Sequence, residues 1–453
     1  MLTDHIRFNR IVFRNRVFTA GYLDNAVDAV ARYLDDHARS NSPIVYLHAP
    51  NHIKTVIGFL GILKSGRTCL LVDPKTGALE YEEMLADTPP AAIMRIDEAP
   101  IEFDFAGEID LTDYRMEPSL VSQLGDVCLM LYTAAEDGYA KAAMLTHANI
   151  LSNAKAMYED IRVREDSTTC AMLPYHHLFG IQNGLISPVV GGGSLVIADI
   201  SDIQNLSTIV DDLLVHNVSH IYSVPLVYYL LSKSSRMHEV CRQAFQLITG
   251  GYKLPASLRD RFERKFAAQL YEGYGLTEAS PVCTSQSRSR PFAADSMGPA
   301  LLDYQVGIFD DVGRELPSNE KGEICIRGGN VMKGYFNRPD ATQKVLRGGW
   351  LHSGDYGKRD NTGNIYFLGL IKKMFNVAGN KIYPEEVRRL MLHHGNVSGV
   401  ELWSDYDPLT GDRMKAKIRL KNNSNGAGEE FSRWCAGAIG PHKIPQNISF
   451  EQE

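Results

Sequence analysis

Apolar residues follow two different spacings along the first half of the chain. Through about residue 240, segments with helical spacing, such as VDAVARYLDDHA (27–38), alternate with short apolar runs. The runs are SPIVYLHAP, TCLLVDP, VCLMLYT and GSLVIADI. HIYSVPL (220–226) and FQLITGGYKLP (245–255) continue the alternation. This pattern predicts buried parallel strands covered by helices, which is an α/β architecture.

The pattern changes near residue 296. Short strands separated by turn residues follow, as in GEICIRGG and GWLHSGDYG, and predict a β-rich subdomain of hairpins over about 296–371. From 372 to 453 the chain mixes a helical segment, PEEVRRLMLHH, with strands such as KAKIRLKN. We therefore expect a large N-terminal domain over 1–371, built from stacked α/β subdomains plus the β-rich one, and a small α+β C-terminal domain over 372–453.

Composition and charge narrow the function. The 453 residues are 44% hydrophobic and 22% charged, as in globular proteins of two or three domains. A net charge of -7 gives no electrostatic reason to expect nucleic acid or an anionic membrane as a partner. There is no run of 18 apolar residues and no secretory leader pattern, and the seven cysteines form no C-x-x-C pair. These features predict reduced thiols in the cytoplasm.

Eight sequence segments carry the candidate chemistry. In chain order they are LKSGRTCLLVDP, YTAAEDGYAKAAMLTH, MLPYHHLFG, ITGGYKLP, YEGYGLTE, KGEICIRGGNVMKGYFNRP, GWLHSGDYG and NVAGNKIYPEEV. Together they resemble the adenylate-forming superfamily of acyl- and aryl-CoA synthetases, nonribosomal peptide adenylation domains and luciferases. The resemblance implies the acyl-CoA synthetase-like fold with a mobile C-terminal domain. It also implies a small carboxylic acid, ATP/AMP and Mg²⁺ in the site, with coenzyme A or the phosphopantetheine of an acyl carrier protein as the thiol.

Two segments are expected to bind the nucleoside. Gly250, Gly251 and Tyr252 follow a strand, and glycines let a flat base lie against the backbone, although a plain tight turn would explain them almost as well. Asp355, in the hairpin context HSGDYG, supplies a carboxylate able to accept hydrogen bonds from both ribose hydroxyls.

The resemblance also assigns roles around the phosphates and the acid. Tyr274 and Gly275 would stack on the base, Thr277 would bind the α-phosphate, and Glu278 would hold magnesium, for which one carboxylate beside phosphate oxygens suffices. His177, rather than His176, matches the histidine near the substrate carboxylate; the alternative is a histidine satisfied in the core. The acid pocket is expected along 177–183, 223–226 and 272–283, where tyrosines indicate a flat or polyunsaturated acid.

The C-terminal part carries the thiol side of the resemblance. Lys372 matches the hinge, and the segment with Gly379, Asn380 and Lys381 matches the part that lies near the pantetheine tunnel. Leu370 replaces an arginine of the family pattern. The sequence ends before the family's catalytic lysine, so the C-terminal domain is expected to be short and the adenylation step weak.

The phosphate loop departs furthest from the family pattern. It keeps Thr133, Gly138 and Lys141 and has Ala-Ala-Glu-Asp at 134–137 where hydroxyls and glycine are expected. Each lost charge-assisted hydrogen bond is worth roughly 1.5 to 3 kcal/mol, and the two acids repel phosphate. The loop is therefore predicted to hold pyrophosphate poorly, unless an additional cation bridges the charges.

Three hypotheses follow for the activity. The first is an AMP-forming acid–thiol ligase, with CoA or a carrier protein as acceptor and an impaired ATP-dependent step. The second is a pseudoenzyme that binds an acyl ligand or a partner. The third is an acyl transferase between thiol carriers that needs no ATP. A stand-alone member of this size is compatible with specialised metabolism.

Overall fold

The architecture comes from a computed structural model, which describes residues 1–14, 16–96, 109–134, 138–198, 206–371, 374–407, 411–422 and 426–452. The helices are α1 (Ala20–His37), α2 (Ile53–Lys64), α3 (Ala78–Asp87), α4 (Pro118–Gln123), α5 (His147–Ile161), α6 (Leu178–Ile181), α7 (Ser187–Val190), α8 (Leu206–Val215), α9 (Pro225–Leu231), α10 (Met237–Gln243), α11 (Ala256–Phe266), α12 (Pro339–Val345), α13 (Pro384–Leu392) and α14 (Ala427–Ala438). Among these described elements, no helix combines the length and the apolar character that a bilayer crossing requires.

The strands up to the middle of the chain are β1 (Arg10–Phe13), β2 (Arg16–Thr19), β3 (Ile44–His48), β4 (Thr68–Val72), β5 (Ala92–Met94), β6 (Ile109–Leu111), β7 (Val127–Thr133), β8 (Lys141–Thr146), β9 (Thr168–Ala171), β10 (Ser194–Ile197), β11 (His220–Ser223), β12 (Gln246–Thr249), β13 (Leu270–Gly275) and β14 (Val282–Ser285). The later strands are β15 (Gln305–Phe309), β16 (Lys321–Arg327), β17 (Gly334–Tyr335), β18 (Leu346–Arg347), β19 (Trp350–Arg359), β20 (Ile365–Leu370), β21 (Phe375–Val377), β22 (Asn380–Ile382), β23 (Val397–Asp407), β24 (Gly411–Leu420) and β25 (Asn447–Gln452).

Two large sheets contain the predicted apolar runs. One runs in the order β14-β13-β12-β11-β9-β10-β1-β2, parallel from β13 to β1 with an antiparallel strand at each edge. The other runs β17-β8-β7-β4-β3-β5-β6 and is parallel from β7 to β5. The predicted α/β class is therefore confirmed.

The core explains why these strands are continuous apolar runs. α2 is almost entirely buried and packs with α1 in a cluster that also takes in side chains of both large sheets. Strands covered on both faces need apolar residues at every position rather than at alternate ones. α1 begins at Ala20, earlier than the predicted segment at 27, because Leu23 and Ala26 are buried together with Val27 and Val30.

Antiparallel hairpins replace the parallel layers after residue 304. β15, β16, β19 and β18 form one sheet in that order, and β20 pairs with β19. The last sheet runs β22-β21-β24-β23, with β25 parallel to β24. Side chains of α13 and α14, including Val387 and Phe431, join its strands in a separate core. The predicted boundary at 371/372 stays a prediction, since residues 372 and 373 lie outside the described part.

Candidate active site

A cavity of about 1100 Å³ opens at the carboxyl ends of the parallel strands β11, β12 and β13. Its other walls are the phosphate loop, the hairpin sheet and the segment 378–383 of the C-terminal sheet region. The carboxyl edge of a parallel sheet is where α/β proteins bind ligands, because loops from neighbouring strands meet there. The cavity thus gathers elements far apart in the sequence.

Glycines shape the wall at the end of β12 and β13. Gly251 has φ +84, a left-handed backbone conformation that suits glycine, and the Gly250-Gly251 pair directly follows β12 as predicted. A Cβ on Gly275 would lie 1.6 Å from the carbonyl oxygen of Pro281, so no side chain fits there. The hydroxyl of Tyr252 accepts a hydrogen bond from the Leu226 amide at 2.9 Å, which anchors this wall.

Asp355 does not line the cavity itself but contacts two residues that do, Tyr274 and Lys381. It sits within β19 rather than in a turn, and its residue surface is 1% exposed. Its Oδ2 accepts a hydrogen bond from the Tyr274 hydroxyl at 2.7 Å and lies 3.6 Å from Lys381 Nζ. Burial, reinforced by the Asp355 charge, raises the pKa of Tyr274, so this hydroxyl remains a donor. Asp355 Oδ1 is buried and has no hydrogen-bond partner among the described residues.

Thr277 and Glu278 form a short turn directly after β13 and line the cavity. Glu278 Oε1 accepts a hydrogen bond from the Tyr335 hydroxyl at 2.8 Å. Burial and the neighbouring Glu278 charge raise the pKa of Tyr335, which keeps this phenol protonated. This leaves the second carboxylate oxygen of Glu278 for a cation, and a single carboxylate beside phosphate oxygens is the donor set magnesium uses.

The Gly138 end of the phosphate loop is held by α13, a helix of the C-terminal region. Gly138 has φ +83, and its carbonyl oxygen accepts a hydrogen bond from Arg389 Nε at 2.9 Å. Arg389 also contacts Glu83 at 2.8 Å through Nη2 and lies over the Tyr139 ring at 4.3 Å. Thr133 and Lys141 pair across β7 and β8 and both line the cavity. The predicted repulsion by Glu136 and Asp137 concerns residues outside the described part and stays a prediction.

His177 lies in the same cavity, while His176 faces Asp73. The His177 side chain opens to the cavity but lies deep among protein atoms, and this desolvation, with His176 alongside, lowers the pKa of His177 to about 4. His177 is thus neutral at physiological pH. His176 Nε2 lies 3.6 Å from Asp73 Oδ2. Of the two, the structure brings His177 to the site.

One part of the cavity is apolar. Its lining there comes from several buried side chains of one cluster, namely Met157, Ile161, Leu173, Phe179, Tyr222, Ile248 and Val282. Tyr222 is 2% exposed, and its hydroxyl has no hydrogen-bond partner within the described ranges. Ser223, predicted to line the pocket, is instead fully buried and does not line the cavity, because successive residues of a strand point to opposite faces.

The predicted thiol-side segment lies against the cavity wall that contains Gly251, and against Tyr252 behind it. Asn376 Nδ2 donates to the Gly251 carbonyl at 3.4 Å, and a Cβ built on Gly379 would lie 3.7 Å from Tyr252 Cδ1. Asn380 and Lys381 line the cavity beside Gly379. Lys372, the predicted hinge, lies outside the described residues.

Lys443 adds a buried cation that the sequence did not single out. Its ammonium contacts Glu80 of α3 and lies 2.7 Å from Glu386 Oε1 of α13. The two carboxylates outweigh burial and raise the pKa of Lys443, while burial raises the pKa of Glu386. The sequence pattern did not identify three residues of this region, Tyr335, Arg389 and Lys443. Each of them acts through a contact with a segment more than 50 residues away along the chain.

A second group with metal-ligand chemistry lies on the hairpin sheet. Ligand atoms of Glu323, Cys325 and His352 lie within 4.8 Å of one another. Arg347 Nη2, however, lies 3.1 Å from His352 Nδ1. A guanidinium at that distance repels a metal cation, so we assign no metal to this group.

A family model described as AMP-binding enzyme matches residues 4–336. The chain belongs to this AMP-binding enzyme family. The match spans most of the chain, and the resemblance to the adenylate-forming superfamily is confirmed. This family member carries the predicted nucleoside residues Gly250, Gly251 and Tyr274 along one cavity, and Asp355 lies behind Tyr274 and accepts a hydrogen bond from its hydroxyl.

Relatives and solved structures agree with this membership. The chain is 28% identical to a feruloyl-CoA synthase of Amycolatopsis sp, over 91% of this chain and 85% of the relative. It is 26% identical to a long-chain-fatty-acid–CoA ligase of Salmonella typhimurium, over 96% of this chain and 87% of the relative. A malonyl-CoA ligase structure with methylmalonyl-CoA and AMP superposes with TM-score 0.83 at 22% identity, covering 99% of this chain and 96% of that one. This AMP-binding enzyme is therefore similar to CoA ligases in sequence and fold.

Proposed function

We propose that the protein is an AMP-forming acid–thiol ligase. A carboxylate oxygen of the acid attacks the α-phosphorus of ATP, which breaks the bond to pyrophosphate and forms an acyl-adenylate. A thiol then attacks the acyl carbon, releasing AMP and a proton and forming a thioester. The observation that carries this proposal is the cavity at the carboxyl ends of the parallel strands, which is lined by Gly251, Tyr274, Thr277 and Glu278. Asp355, which accepts a hydrogen bond from Tyr274 behind this wall, has an Oδ1 without a partner among the described residues, and a ribose hydroxyl would be a suitable donor to it.

The residues of the cavity suit both steps. Thr277, in the short turn after β13, would bind the α-phosphate, and neutral His177, which lines the same cavity, would lie near the carboxylate of the acid. Glu278 would hold magnesium, which neutralises phosphate charge when bound. Gly251 and Tyr274 would contact the base.

The orientation of the C-terminal part supports the second step. Lys381 approaches Asp355, and Gly379 approaches Tyr252, so the thiol-side segment faces the cavity. We infer that the thiol comes from CoA or the phosphopantetheine of a carrier protein, that the domains meet near 371/372, and that Lys372 is the hinge. The setting we propose is the cytoplasm.

The placement of the thiol-side segment also favours a second candidate, acyl transfer between two thiols without ATP. The thiol-side segment is well placed, whereas Ala134 stands where the family pattern has a hydroxyl. We infer that any adenylation is slow, since the loop sequence lacks donors for pyrophosphate.

The test is ATP–pyrophosphate exchange with a panel of aryl and fatty acids, followed by thioester formation with CoA and with a carrier protein. Glu278→Gln should abolish exchange, and Glu320→Gln, an exposed glutamate of the hairpin region, should leave it unchanged. Thioester transfer without exchange would establish the second candidate. If AMP does not bind and no thioester forms with any acid or acyl donor, both candidates are wrong.

A further inference from the structure

A second cavity, of about 690 Å³, lies at the opposite end of the sheet from the active site. It is lined by Leu247 and Tyr271, near the amino ends of β12 and β13, whereas Gly250 and Gly275 mark the carboxyl ends. Among the described residues, no residue lines both cavities. Its volume falls within the range of small-molecule sites.

The charge of this cavity is positive. Arg242, Arg288 and Arg290 line it, and the described lining contains no aspartate or glutamate. The guanidinium of Arg290 lies 3.2 Å from Asp160 Oδ1 through Nε and donates to the Ala300 carbonyl at 2.9 Å through Nη1. Asp160 thus offsets a single arginine, and the other two leave a surplus of positive charge.

Buried donors of the segment 287–290, which borders the cavity, lack acceptors among the described residues. Ser287 is 1% exposed, and its hydroxyl has no partner within the described part of the chain. Nη2 of Arg290 and the hydroxyl of Ser289, from the same turn, are likewise buried without a partner there. Leaving such a group unsatisfied costs about 1 to 3 kcal/mol, and native proteins seldom accept that cost several times in one turn.

Aromatic rings complete the wall. Phe245, Tyr271 and Phe292 line the cavity, with the Arg288 guanidinium 5.4 Å from the Phe245 ring centre and an edge contact of 5.8 Å between Tyr271 and Phe292. Rings beside guanidinium groups suit a ligand that has a flat or apolar body and an anionic end.

We propose that this second cavity binds a phosphorylated small molecule. A phosphate group offers several acceptor oxygens and up to two negative charges. That matches a donor set made of guanidinium groups and hydroxyls better than a carboxylate does. The ring-lined part of the cavity holds the body of the ligand.

The test is isothermal titration calorimetry with inorganic phosphate and with phenyl phosphate at constant ionic strength. Arg288→Gln and Ser287→Ala should each weaken phenyl phosphate binding by about ten-fold or more, because the first removes a positive charge and the second removes a hydroxyl donor to the phosphate. Benzoate should bind more weakly than phenyl phosphate. Ser287→Ala removes a hydroxyl without a protein partner in the described part, so the fold should tolerate it; circular dichroism checks this.

Two control variants locate the binding. Arg413→Gln changes an exposed arginine of β24 that pairs with Asp407, and Lys141→Ala changes the active-site cavity; neither should alter phenyl phosphate binding. The proposal is overturned if phenyl phosphate does not bind at millimolar concentration. It is equally overturned if Lys141→Ala abolishes binding while Arg288→Gln and Ser287→Ala leave it intact.

Discussion

Replacing Asp355 by asparagine tests the nucleoside site directly. Asp355→Asn keeps the size of the side chain and retains an oxygen that accepts from the Tyr274 hydroxyl. It removes the negative charge and turns the second oxygen, the unpartnered Oδ1, into an amide donor. A hydrogen bond to a charged acceptor is worth about 1.5 to 3 kcal/mol. We therefore expect AMP to bind roughly 10- to 100-fold more weakly, at 1.4 kcal/mol per ten-fold.

Deoxynucleotides show whether the loss arises at the ribose. Isothermal titration calorimetry with AMP, 2′-deoxy-AMP and 3′-deoxy-AMP should show that the wild-type protein discriminates against at least one deoxy analogue. Asp355→Asn should bind all three alike, because the group that senses the hydroxyl has been removed. The effects of the Asp355→Asn substitution and of the missing ribose hydroxyl would then be non-additive, which shows that the two groups interact.

Two further variants control the measurement. Tyr274→Phe removes the hydroxyl that donates to Asp355 Oδ2 but leaves Oδ1 in place, so the discrimination against the deoxy analogues should survive. Asp260→Asn, on the exposed face of α11, should have no effect. If Asp355→Asn binds AMP as well as the wild type does, or still rejects the deoxy analogues, the ribose assignment is wrong.

The remaining predictions concern stability. His220 is 1% exposed, and burial lowers its pKa to about 4, so between pH 6.5 and 4 the imidazole takes up a proton only in the unfolded chain. Urea titration should therefore show that the free energy of unfolding falls by roughly 3 kcal/mol over this range because of His220. His220→Gln should make the free energy of unfolding depend less steeply on pH. A slope unchanged in His220→Gln would contradict this. Tyr222→Phe should raise the free energy of unfolding by about 1 kcal/mol, since it removes a buried hydroxyl without a partner in the described residues, and a destabilised variant would show that the hydroxyl is satisfied. Lys443→Met should cost about 3 to 5 kcal/mol, because Glu80 and Glu386 lose their shared cation, and Glu80→Gln with Glu386→Gln in the same chain should recover most of it. Equal instability of the single and triple variants would refute the ion-triad explanation.

Buried strands and glycine turns were readable from the sequence because their causes are local. A strand covered on both faces needs an unbroken apolar run, and TCLLVDP became the fully buried β4. The Gly250-Gly251 pair ended β12 because the second glycine adopts positive φ. Helix limits were less predictable. α1 extends toward the N-terminus because its first turns are buried against α2, and this tertiary contact is not contained in the local sequence pattern.

The sequence by itself determined the α/β class, the family resemblance and the residue types available for nucleotide chemistry. Only the tertiary structure decided that Glu278 accepts a hydrogen bond from the Tyr335 hydroxyl and that Arg389 donates one to the Gly138 carbonyl. It also decided that three arginines surround a cavity remote from the active site. The reason is physical: backbone preference and the periodicity of apolar residues depend on neighbours along the chain, whereas hydrogen bonds, ion pairs and the walls of a cavity depend on distance in space.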